Sequence, residues 1–236
     1  MYEPPEVVAR GEGVGGEVVL RRRRVAGATV DELIVNGTFL MDTAETSTER
    51  LLAQAVLDRH DAPRRILVGG LGLGFTVAAL LDDPRVERVD VVEIEELLVR
   101  WLRAGMVPDA RDVLADPRVH VTVDDVRTAL GTADPGTHDA ILLDVDNGPD
   151  FLVHQANAAV YEPDALRSAA RALAPGGLLA IWSAAPSDAL AEAVATAVGS
   201  VDELVRTVPR EGREVAYHVY LAQRPTPAPD DGARTP

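Results

Sequence analysis

Cysteine and lysine are both missing from the 236 residues. Without cysteine there can be no disulfide, no thiolate metal site and no thiol nucleophile. Without lysine there is no Schiff-base chemistry and no Walker-type phosphate lysine; all 23 basic residues are arginine. Long apolar runs are missing too. None approaches the ~18–20 residues that cross a bilayer. The Met1 end lacks a basic segment followed by an apolar one. A soluble, cytoplasmic protein with no membrane partner is expected. Positive charge is in deficit, and the net charge is −15. Such a surface is a poor partner for nucleic acid and a tolerable one for a cationic substrate. His60, His120, His138 and His218 show no metal-ligand spacing, so no metal is expected.

What is present can build a core, since 47% of residues are hydrophobic. The length fits one large domain, or one domain with a small appendage. Residues 1–15 are rich in Pro, Gly and Glu and read as a flexible N-terminus. Residues 16–46 alternate as strands around turn signals at Gly27 and Asn36-Gly37, which makes a small β-hairpin domain. Arg21 to Arg24 within it are expected to pair with acids across the hairpin or at a subunit contact. Residues 47–222 then alternate strand and helix patterns. Strands are expected at 65–69, 88–93, 118–123, 138–145, 178–183, 202–208 and 215–222. Helices are expected at 48–59, 73–82, 95–104, 125–130, 163–174 and 186–198. That order predicts a doubly wound, seven-stranded, mostly parallel sheet with helices on both faces and an antiparallel pair at one edge. Residues 223–236 are polar and Pro-rich and read as a disordered tail.

Residues 65–95 carry most of the functional signal. Ile66-Leu67-Val68 meets the cluster Gly69-Gly70-Leu71-Gly72-Leu73-Gly74, a helical stretch follows, and the next strand ends on Glu93. Strand, glycine turn, helix, strand and terminal acid make one βαβ unit. Glu93 lies nineteen residues past Gly74. A carboxylate at about that distance holds the ribose hydroxyls of a bound nucleoside. The spacing of Gly70, Gly72 and Gly74 is G-x-G-x-G. The third strand ends in Asp124-Asp125, where a carboxylate can meet an adenine amino group. The fourth ends at Asp144, before Val145-Asp146-Asn147-Gly148-Pro149. Acids at three neighbouring strand ends disfavour a phosphate-rich dinucleotide. They suit S-adenosylmethionine (SAM), which carries a sulfonium and an amine.

These segments, with DPRVHVTVDD, HDAILLDVDNGP, ALAPGGLLA and VNGTFLMDTAETSTERLLA, resemble the spermidine/spermine synthase (polyamine aminopropyltransferase) family over residues 16–222. The resemblance implies a SAM-methyltransferase-type fold behind a small β-hairpin domain, a homodimer, and an amine acceptor. It places the glycine turn on Gly70, Gly72 and Gly74, the ribose acid on Glu93, and the adenine acid on Asp125, or Asp124 in a shifted register. It places the first acid of the catalytic loop on Asp144.

The departures concern the amine site. Leu71 and Leu73 stand where the family's glycine turn carries an Asp. The loop after Asp144 is two residues shorter, with Asn147 at the second Asp position unless Asp146 takes it. Leu40 stands for a glutamine, and Thr48 falls near a tyrosine. Asp146, Asp144 and His154 are the candidate catalytic groups. Asn147, Gln155, Tyr161 and Asp42 are candidates for holding the small-molecule acceptor. Trp182 and Glu45 are further candidates near the pocket. Because the amine-site residues differ, the leading expectation is SAM-dependent transfer, of methyl, to an unidentified small acceptor. The alternatives are aminopropyl transfer from decarboxylated SAM and a non-catalytic nucleoside-binding scaffold.

Overall fold

The computed structural model describes residues 4–145, 148, 155–210 and 213–226. Four strands come first: β1 (Glu6–Gly13), β2 (Gly16–Val25), β3 (Ala28–Val35) and β4 (Thr38–Asp42). They form one antiparallel sheet in sequential order. Tight turns fall at Ala26-Gly27 and Asn36-Gly37, all four residues with positive φ, as two-residue hairpin turns require. The arginines of β2 pair across the hairpin with buried acids of β3. Arg21 Nε donates to Glu32 at 2.6 Å and Arg22 Nε to Asp31 at 2.6 Å. Arg23 pairs with Glu32 as well, and reaches Asp42 at 3.4 Å.

The N-terminal expectation needs correction. Residues 6–13 form a strand that pairs antiparallel with β2, so the small sheet has four strands and begins at Glu6. Composition misled because glycine usually weakens a strand. Here the bare positions let the strand lie against a helix, since a Cβ on Gly11 would sit 2.9 Å from Leu97 Cδ1. The C-terminal tail assigned to disorder lies largely outside the described residues.

The larger unit runs α1 (Ser47–Leu57), β5 (Arg65–Gly69), α2 (Phe75–Leu81), β6 (Arg88–Glu93), α3 (Glu96–Arg103), α4 (Pro108–Ala115), β7 (Val119–Val123), α5 (Val126–Thr132) and β8 (His138–Leu143). A 3-10 segment (Gln155–Val160) leads to α6 (Pro163–Ala172), β9 (Leu173–Ser183), α7 (Asp188–Ala197), β10 (Val201–Arg210) and β11 (Arg213–Gln223). The sheet order is β10-β11-β9-β8-β5-β6-β7. Strands β5 to β9 run parallel, and β11 is antiparallel to both β9 and β10. Helix α4 went unread in the sequence; Pro108 opens it, its missing N–H costing nothing at a first helical position.

Period-2 alternation explains the two layers. Ile66, Val68, Val89, Val91 and Leu142 face α1, α2 and α3, where Leu52, Val77, Leu80 and Leu98 meet them. Leu67, Val92, Ile141, Leu143 and Leu179 face the other way, onto Leu130, Leu166 and Val194. Full burial of each Leu or Ile contributes about 1.5–3 kcal/mol. This double-sided core holds β5 and β8 side by side. The chain leaves β5 for β6 on one side and returns to β8 on the other. That reversal opens a crevice at the strands' carboxyl ends, where α/β sheets bind ligands.

Candidate active site

The crevice is a cavity of about 400 Å³. Its floor is the glycine turn. Gly70 and Gly72 have φ of 91° and 51°, left-handed values that favour glycine. A Cβ on Gly70 would overlap the Asp144 carbonyl oxygen, so the bare backbone lets the ends of β5 and β8 close together. Leu71 and Leu73 point into the core and are buried. The turn's N–H groups are largely consumed within the protein. Gly70 donates to Val92 O at 2.8 Å and Gly74 to Leu71 O at 2.9 Å. Leu71 donates to Glu93 Oε2 at 2.7 Å, and Leu73 to Met41 Sδ at 3.2 Å.

Glu93, at the tip of β6, is buried beside the cavity. Its second oxygen accepts from the Glu95 N–H at 2.8 Å. Desolvation raises its carboxyl above the ordinary range, and the backbone hydrogen bonds from Glu95 and Leu71 oppose the rise. An ionised carboxylate offers about four acceptor sites. Backbone N–H groups fill part of that capacity, and the rest can meet a vicinal diol. Asp124 and Asp125 also line the cavity, but they differ in occupation. Asp125 caps α5 through the Arg127 N–H at 2.8 Å and holds the Arg127 guanidinium. Asp124 accepts the Asp125 N–H at 2.8 Å.

Asp144 follows β8 and is half-buried, with one face on the cavity. Desolvation raises its carboxyl to about 6, and the Thr76 hydroxyl, donating at 2.7 Å, limits the rise. Around it stand Thr48 and Glu49 from the start of α1, Asn157, and the pair Trp182–Tyr217. The two rings stack with centroids 5.4 Å apart. Phe39, Leu40 and Met41 of the small sheet close the far side.

Two expected acceptor residues lie elsewhere. Asp42 does not line the cavity; its carboxylate accepts the Ala44 and Glu45 N–H groups at 3.0 Å each and meets Arg23, which shapes the link into α1. Tyr161 sits behind the wall, its hydroxyl donating to Val145 O at 2.7 Å. Glu45, also expected near the pocket, instead accepts the Ser47 N–H at 2.9 Å. Asp146, Asn147 and His154 lie outside the described residues, as does the Gln155 side chain. Glu49, Glu95 and Asn157 were missed; an acid in the first turn of a helix reads from sequence as dipole compensation, and only the fold turns Glu49 inward. Among the described residues no cluster of three His, Asp or Glu could hold a metal ion. None of their helices is long and apolar enough to cross a membrane.

Comparison with known proteins adds to this geometry. Residues 45–219 match the spermine/spermidine synthase domain. A polyamine aminopropyltransferase of Mycobacterium tuberculosis is 34% identical over 141 residues, covering 59% of this chain and 26% of that protein. Putrescine N-methyltransferase 3 of Nicotiana tabacum is 31% identical over 119 residues, covering 50% of this chain and 29% of that one. The chain thus spans less than a third of the length of either relative. Among solved structures, the spermidine synthase of Thermotoga maritima superposes with a TM-score of 0.78 at 14% identity, covering 92% of this chain and 72% of that one.

Proposed function

Because the chain belongs to the spermine/spermidine synthase domain family, we propose that it transfers an aminopropyl group from decarboxylated SAM to a small aliphatic amine. One observation carries the choice of donor. The cavity lining contains Glu49, Glu93, Glu95, Asp124, Asp125 and Asp144, and no Arg or His among the described residues. A sulfonium, an amine and an ammonium suit such a wall. The carboxylate of intact SAM does not, and most of the glycine turn's N–H groups are already committed. Removing that carboxylate removes the mismatch.

The residues present fit this donor. Glu93 would accept the ribose hydroxyls, Asp124 the adenine amino group, and the Trp182–Tyr217 wall would flank the cation. When bound, the donor supplies a carbon activated by sulfonium: the amine lone pair forms the new C–N bond, the C–S pair returns to sulfur as a thioether, and the ammonium loses a proton. The protein's part is to align the amine and take that proton. Asp144, with its carboxyl near 6 and lining the cavity, is ionised at neutral pH and would take that proton; positioning supplies most of the effect.

Methyl transfer from intact SAM is the second reading. Leu71 and Leu73 favour it, because they put no acid in the glycine turn that would repel the carboxylate of intact SAM. Calorimetric titration with decarboxylated SAM, SAM and methylthioadenosine separates the readings. Decarboxylated SAM is expected to bind tightest. Glu93→Ala is expected to weaken all three by about a hundredfold, as loss of two charge-assisted hydrogen bonds implies. Tighter binding of intact SAM would overturn the first reading, and no binding of any would leave a non-catalytic scaffold.

A further inference from the structure

The small sheet also carries a second period-2 glycine series. Gly11 and Gly13 alternate along the end of β1, so that face of the strand is bare, and Gly15 follows in the Val14-Gly15 turn. That face crosses the start of α3. A Cβ on Gly11 would come within 2.9 Å of Leu97 Cδ1, and one on Gly13 would overlap Glu95 Oε2. Gly15, in the turn, lines the cavity together with Glu93, Ile94 and Glu95.

Glu95 joins the two units. Its Oε1 caps α3 by accepting the Leu97 N–H at 3.1 Å. Its Oε2 accepts the Val14 N–H at 2.9 Å, across eighty-one residues of sequence. Its own N–H donates to Glu93. On the other side Asn36 grips the turn, accepting the Glu17 N–H at 3.0 Å and donating to Gly15 O. The turn is therefore pinned from both units directly beside the nucleoside acid.

We propose that the β1–β2 turn is the closing wall of the nucleoside end of the cavity, and that Glu95 is the positioning residue that latches it. This rests on the nucleoside-donor reading above. Gly15, without a side chain at the cavity wall, gives a flat nucleoside room to approach, and the latch retains it once it has entered. Glu95 acts through Val14 and Glu93 rather than by touching the reacting atoms.

The test uses methylthioadenosine, the part common to both donors, with Glu95→Asp and Glu95→Gln in the full chain. Either side chain can still cap α3, since Asp and an amide oxygen both accept the Leu97 N–H. The shorter Asp cannot also reach Val14, and the Gln amide would present a donor to a donor. Both variants should stay folded, with the melting temperature lowered by only a few degrees, raise the methylthioadenosine dissociation rate about tenfold, as a turn freed of one charge-assisted hydrogen bond implies, and leave the association rate unchanged. Hydrogen exchange at the Val14 amide should slow on ligand binding in wild type and not in the variants. Binding by both variants within about twofold of wild type, a difference too small for a lost charge-assisted hydrogen bond, would overturn the latch while leaving the nucleoside reading intact. So would Val14 exchange that ignores the ligand. Failure of wild type to bind methylthioadenosine would overturn both.

Discussion

In the proposed reaction Asp144 is the carboxyl that takes the proton. Its folded value, about 6, lies above the ordinary aspartate value of 3.8. A raised carboxyl costs stability when ionised, because the folded state prefers the proton. The cost is absent below about pH 4, grows between pH 4 and 6, and is constant above that range. Asp144→Asn keeps the Thr76 hydrogen bond and removes the charge. The ligand-free variant should gain about 1–3 kcal/mol at pH 7.5 and nothing at pH 4, read from urea midpoints. Turnover should fall by two orders of magnitude or so. Wild-type turnover should decline as pH drops through 6, as the carboxyl takes up its proton. Equal stability of wild type and variant at pH 7.5 would contradict the burial argument. Residues of this kind were legible because they end strands, as Glu93, Asp124 and Asp144 do. Glu49 and Asn157 were not, because their inward direction depends on how α1 and the 3-10 segment dock.

At the scale of elements, the two ends of the sheet do different work. The cavity's acids gather at the carboxyl ends. The opposite end holds a structural cluster: Asp90 on β6 takes both nitrogens of Arg88, at 2.6 to 2.9 Å, and faces His138 Nε2 of β8 at 3.7 Å. Desolvation raises the Asp90 carboxyl, but the neighbouring His138 ring and the Arg88 hydrogen bonds outweigh it and hold the group well below the usual carboxylate range. A lowered carboxyl contributes stability above its unfolded value and loses it as pH falls toward the folded one. Asp90→Asn should therefore cost about 1–2 kcal/mol at pH 7, discounted for partial exposure, and progressively less below pH 4. No change in the urea midpoint at pH 7 would remove this cluster from the account. The helices and strands of the βαβ repeats were legible from period 2 and period 3.6. Strand β1 was not, since its glycines are explained by what lies beneath them, Leu97 and Glu95, and such contacts leave no local signal. Helix α4 was missed for its brevity and weak apolar stripe.

Across the whole molecule, the two sheets meet at the cavity and each supplies part of its wall. The small sheet gives Gly15, Val18, Leu33, Phe39 and Met41; the large one gives the acids. The fold and the acids that line the crevice were readable because one βαβ unit carries the glycine turn and Glu93. The choice of transferred group was not. Leu71 and Leu73, read as letters, lean toward intact SAM; the cavity's charge leans toward the decarboxylated donor. The most direct test supplies putrescine with equal amounts of both donors and identifies the products by mass spectrometry. The account predicts an aminopropylated amine with methylthioadenosine as co-product. A methylated amine accompanied by S-adenosylhomocysteine would contradict it.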